Sequence, residues 1–121
     1  DANHAWIVYS GFSAKTPSTP GHVFEVRYTP TTKKATFTSL DGSGDDLTFG
    51  DIPALSVVVD QRGWVYVGTD FGVVVNRSGD GWRPASPGLP KMAVPDLMLV
   101  PERGVIYAAT HGQGVWQLDI R

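Results

Sequence analysis

Four carboxylates, Asp41, Asp45, Asp46 and Asp51, fall within one eleven-residue stretch beside Gly42, Gly44 and Gly50. Oxygen donors packed this densely suit a hard cation, and calcium takes roughly six to eight of them. The run Asp41-x-Ser43-x-Asp45 lacks the sixth-position glycine and the closing glutamate of an EF-hand. A calcium site near Asp41, Asp45 and Asp46 therefore stands beside a plainer reading, solvated carboxylates on turns. His111 sits on a turn with Gly112 and Gly114. Its imidazole would donate to a hydroxyl or act as a base near neutral pH, or else cap the turn. His4, His22 and His111 are scattered, so no metal-ligand trio is indicated. Ser, His and Asp are all present without triad spacing, and catalytic residues are not assigned. Gly-x-Ser-x-Gly, His-Glu-x-x-His and a phosphate-cradling glycine loop are missing. With no cysteine, thiol nucleophiles, disulfides and zinc-thiolate sites are excluded.

Any chemistry must be positioned by 121 residues, the size of one domain. A net charge of −2 offers no broad pull toward phosphate backbones, so nucleic acid is not an expected partner. No apolar run approaches the ~18 residues of a membrane span, and residues 1–4 open nothing like a signal peptide. The 14 glycines and 9 prolines are spread along the chain. Between them lie short β-branched and aromatic runs at 5–9, 22–28, 35–38, 55–59, 64–69, 73–77, 97–100, 105–110 and 115–118. No window keeps helical spacing for three turns, and branching at Cβ disfavours helix. The pattern predicts an all-β chain, with a short further strand near 82–85.

The runs repeat. Arg62-Gly63-Trp64-Val65-Tyr66-Val67-Gly68-Thr69 is echoed by Arg103-Gly104-Val105-Ile106-Tyr107-Ala108-Ala109-Thr110, with Thr69 and Thr110 41 positions apart. Gly72-Val73-Val74 is echoed by Gly114-Val115-Trp116, and Ile52-Pro53-Ala54-Leu55 by Val94-Pro95-Asp96-Leu97, both at an offset of 42. A looser copy comes first: Trp6-Ile7-Val8-Tyr9 stands for Trp64–Val67, His22-Val23-Phe24 for Gly72-Val73-Val74, and Phe37 for Trp82. A period of ~40–45 residues with four short strands per unit marks β-propeller blades, each too small to cover both its own faces. The alternative is an open β-sandwich. The units are blade 1 at about 4–40, blade 2 at about 52–86 and blade 3 at about 94–121, a partial propeller over 1–121. Blade 1 lacks room for an innermost strand and blade 3 ends after its third. Two and a half to three blades cannot close a ring of ~4–8. The expectation is part of a larger propeller, or one completed by other copies of the chain.

Several segments resemble bacterial neuraminidase repeats, the Asp-box blades of sialidases, xyloglucanases and sortilin-like propellers. They are Gly68-Thr69-Asp70-Phe71-Gly72-Val73, Ser78-Gly79-Asp80-Gly81-Trp82, Pro87-Gly88-Leu89-Pro90 and Tyr107-Ala108-Ala109-Thr110-His111-Gly112. The Asp-box is shortened here to Ser78, Asp80, Gly81 and Trp82, where a structural role is expected: Asp80 closing a turn and Trp82 packing between sheets. The resemblance implies a bacterial extracellular or cell-surface setting, within a larger secreted protein. Propeller loops alternate between two ends. The end with the longer loops carries Asp70, Phe71, His111 and Gln113, the expected ligand-binding residues. A non-catalytic segment scaffolding carbohydrate or protein binding is the first reading. The C-terminal blades of a sialidase- or xyloglucanase-like glycoside hydrolase, or a small oligomeric propeller lectin, are the alternatives.

Overall fold

A computed structural model describes residues 2–13, 20–42, 47–85, 88–89 and 91–121. Strands β1 (His4–Val8), β2 (Val23–Thr29) and β3 (Lys34–Ser39) form the first sheet. The second contains β4 (Ala54–Val59), β5 (Val65–Thr69), β6 (Gly72–Asn76) and β7 (Trp82–Pro84). The third contains β8 (Asp96–Val100), β9 (Val105–Ala109) and β10 (Val115–Asp119). All pairings are antiparallel between strands consecutive in sequence. The one helical element among the described residues is a 3-10 turn at Pro101–Arg103. The all-β expectation holds, as three antiparallel sheets of three, four and three strands.

Side chains alternate across each strand, which gives the middle sheet two apolar faces. Val57, Val59, Val65, Val67, Val74 and Trp82 pack toward Trp6, Val8 and Val23 of the first sheet. Tyr66, Val73 and Val75 point the other way, onto Leu97, Ile106, Ala108 and Leu118 of the third. Full burial of each such side chain stabilises the fold by roughly 1.5–3 kcal/mol, so the two junctions hold most of the core. The junctions share a bond. Ala54 N–H donates to Tyr9 O at 3.0 Å, and Val94 N–H donates to Thr69 O at 2.9 Å.

That shared bond corrects two of the sequence alignments. Tyr9 occupies the place of Thr69, so Trp6-Ile7-Val8-Tyr9 matches 66–69 and not Trp64–Val67. A two-residue slip keeps every side chain on its original face, which is why the apolar pattern did not reveal it. Val94 likewise matches Ala54, leaving Pro53 and Pro95 two positions out of register. A register shift between Ala54 and Ser56 inserts a residue into β4, and local sequence likeness does not count such bulges.

The Phe37–Trp82 equivalence is geometric. Phe37 pairs with Val26 as Trp82 pairs with Asn76, and Leu40 N–H reaches Val23 O as Ala85 N–H reaches Val73 O. Their surroundings differ. Trp82 is 5% exposed between two sheets, whereas Phe37 is 42% exposed on the outer face of the first. At the far end Met98 and Val115 are 60% and 69% exposed on the outer face of the third sheet. By register these two answer to Val58 and Val73, which pack onto the next sheet. Each outer face thus repeats a face that is buried one sheet along, in head-to-tail order.

Candidate functional site

The antiparallel meander sends the β1–β2, β5–β6 and β9–β10 connections to one end of the sheets, together with the links from sheet to sheet. The β5–β6 turn shows how the repeated residues build this end. Thr69 Oγ1 donates to Gly72 O at 2.9 Å and accepts Phe71 N–H at 3.0 Å. Thr110 Oγ1 donates to Gly114 O at 2.7 Å in the matching turn. Gly72 and Gly114, at φ 107° and 73°, take up backbone conformations that side chains resist. Gly68 serves packing instead. A Cβ there would collide with the Val94 carbonyl oxygen and Ser56 Oγ, so its absence lets the second and third sheets approach.

The expected binding residues lie on this end but do not converge. Phe71 is exposed and lines a recess of about 360 Å³ with Val74, Pro84, Leu89 and Lys91. Asp70, His111 and Gln113 do not line it. His111 and Gln113 are exposed, Asp70 is half-buried, and His111 N–H donates to Ala93 O at 2.9 Å.

A tighter cluster lies near the start of β2. His22 is 4% exposed and stacks on Phe49 with ring centroids 5.7 Å apart. Its Nδ1 lies 3.0 Å from Asp41 Oδ2. Asp41 also accepts the backbone N–H of His22 on both oxygens, at 2.8 and 2.9 Å, and that of Val23 at 2.9 Å. On the other side of the ring, Nε2 lies 3.1 Å from Asp51 Oδ1, yet it makes no hydrogen bond. Asp51 Oδ1 accepts Ser13 N–H at 2.6 Å. Gly21, at φ 152°, leaves no room for a Cβ, which would sit 2.6 Å from Ser39 Oγ. A cavity of about 560 Å³ opens here, lined by His22, Asp41, Asp51, Ser13, Thr48 and Ser39 among others.

Two of the four carboxylates in the acidic stretch therefore have definite surroundings. Asp41 is a backbone anchor with its oxygens already engaged, and Asp51 flanks a buried imidazole. Asp45 and Asp46, the other positions of the calcium reading, lie outside the described residues. Among the described residues no group of three or more acidic, His or Cys side chains is arranged to hold a metal. His22 was not singled out from sequence. The signal was a departure from the repeat, a histidine where the later units carry Gly72 and Gly114.

The opposite end is structural in character. Asp60, buried at the β4–β5 turn, accepts Arg62 N–H at 2.9 Å, Arg62 Nε at 3.0 Å, an Arg62 terminal nitrogen at 2.6 Å and Trp64 N–H at 3.1 Å. Arg62 also donates to Ile120 O at 2.8 Å, tying the second sheet to the third. Its guanidinium lies 3.6 Å from the Trp64 ring centroid. Burial, and then the Asp60 carboxylate, raise the Tyr66 phenol above its ordinary range. In the Ser78–Trp82 segment Asp80 Oδ1 accepts Arg77 N–H at 3.2 Å, and Ser78 holds a positive φ of 57°. Trp82 Nε1–H donates to Leu40 O at 2.8 Å, and its ring meets Phe49 edge-on at 5.1 Å. Pro87 and Pro90 lie outside the described residues.

No protein-family model, no curated protein and no solved structure matches the chain. Among the described residues no helix is long and apolar enough to cross a membrane.

Proposed function

We propose that this chain is a run of β-propeller blades, a non-catalytic scaffold that presents its loop-rich end to a glycan or protein ligand. The observation that carries this reading is the head-to-tail equivalence of faces. Phe37 on the first sheet stands where Trp82 is buried, and Met98 and Val115 stand where Val58 and Val73 pack onto the third sheet. A translated junction of this kind wants a further sheet at both ends, and radial closure is the arrangement that leaves no apolar end. The further sheets come from the remainder of a longer propeller or from other copies of the chain. Binding is assigned to the loop end because a rigid β scaffold positions its loops, and exposed Phe71 beside an apolar recess suits the face of a sugar ring or an apolar peptide side chain. The resemblance to Asp-box propellers supports a secreted bacterial protein as the setting of such a scaffold.

Analytical ultracentrifugation of the chain over a concentration series tests the assembly: association is expected, and a strict monomer throughout contradicts it. A glycan array on the assembled protein, with Asp70→Ala, Phe71→Ala and His111→Ala variants, tests the site. Binding that survives all three substitutions removes those residues from it, and release of reducing sugar would replace the scaffold reading with a hydrolase.

A further inference from the structure

The His22 cluster has chemistry of its own. Asp41, held by two backbone N–H groups, faces Nδ1, and an ionised carboxylate only accepts. Nδ1 therefore carries a proton, and in the neutral ring Nε2 keeps a bare lone pair. That lone pair lies 3.1 Å from Asp51 Oδ1 without a hydrogen bond between them. A proton on Nε2 would turn the contact into an imidazolium–carboxylate pair, but it would not point at Oδ1, because the two atoms lack hydrogen-bond geometry; a cation on the Nε2 lone pair, off the line to Oδ1, reaches both. Because Nε2 is buried, the partner must be the size of a single atom, which excludes a sugar hydroxyl or an alkylammonium group arriving on a larger ligand. Ligand atoms at ~2.0–2.2 Å from one divalent ion are about 2.8–3.6 Å apart for angles between 90° and the tetrahedral value, a range that includes the observed separation.

We propose that His22 Nε2 and Asp51 bind a borderline divalent cation of the zinc type at the mouth of this cavity. Imidazole nitrogen paired with carboxylate selects such an ion over calcium, which prefers oxygen throughout. Asp41 is the outer carboxylate that orients the ligating imidazole through Nδ1–H. With two protein ligands among the described residues, the ion keeps positions open toward the cavity for water. The inference is independent of whether the loop end binds a glycan.

The test titrates zinc chloride into the 121-residue chain by calorimetry and follows the histidine ring nitrogens by ¹⁵N NMR. The expected result is one saturable equivalent, with the His22 Nε2 resonance moving and Nδ1 staying protonated. Asp51→Asn, at a half-exposed position, leaves the fold intact by circular dichroism and weakens binding by at least about tenfold, as does Asp41→Asn through the outer partner. His4→Gln, at a histidine held against Glu25 away from this cavity, leaves binding unchanged. Absence of binding overturns the site. So does zinc binding indifferent to Asp51→Asn but lost with His4→Gln, or an Nε2 that stays protonated at saturating zinc.

Discussion

Phe37 and Trp82 occupy one register position in successive sheets, so truncating each compares a covered site with an uncovered one. Trp82→Ala removes a side chain 5% exposed, its edge-on contact with Phe49 and its Nε1–H bond to Leu40 O. Loss of a large buried aromatic costs about 3–5 kcal/mol, with roughly 1 kcal/mol attributable to the hydrogen bond. Phe37→Ala removes a ring that already leaves 42% of its residue surface in water. Full burial would be worth ~1.5–3 kcal/mol, so about 1 kcal/mol is expected in the isolated chain. Urea unfolding followed by far-UV circular dichroism at low protein concentration should separate the two variants by at least ~2 kcal/mol. Repeating the measurement at high concentration adds a second arm. Association that covers the outer face raises the cost of Phe37→Ala and leaves that of Trp82→Ala unchanged. Equal costs at low concentration, or a Phe37 cost indifferent to concentration in a chain that does associate, would refute the reading of this face as an unfilled blade junction.

Gly68→Ala places a methyl against the Val94 carbonyl oxygen, and the strained junction should lower stability by about 1–3 kcal/mol, read from the urea midpoint. Thr69→Val strips a buried turn of both hydroxyl bonds at a cost of about 1–3 kcal/mol, whereas Thr110→Val, in the more open matching turn, should cost less. Reversed costs would contradict the burial difference. Tyr66 should titrate above free tyrosine, and Asp60→Asn should bring it part of the way back, because the larger cause, burial, remains. An unfolded tyrosine loses its proton first, so this contribution is intact below the ordinary phenol range and is lost as pH rises through the folded value. Phenolate absorbance and the urea midpoint, both followed against pH, check the sign.

Local composition was enough to read the strands. Branched residues at Val57–Val59 and Val73–Val75, punctuated by Gly63, Gly72 and Asp60, leave little choice but short antiparallel strands, since both propensity and turn chemistry act over a few residues. In-step Thr and Gly placed the matching turns correctly because each does a local job, closing a hairpin or adopting a positive φ. Register across junctions was not legible. A two-residue slip leaves the apolar pattern unchanged, and only the bonds Ala54 to Tyr9 and Val94 to Thr69 distinguish the alternatives. The cluster around His22 was hidden for a similar reason: Asp41 and Asp51 are 19 and 29 positions away, and no spacing rule joins them. Which carboxylate ends beside the imidazole is a tertiary outcome: Phe49 stacks on His22 and meets Trp82 edge-on, a contact between residues 33 positions apart in the chain.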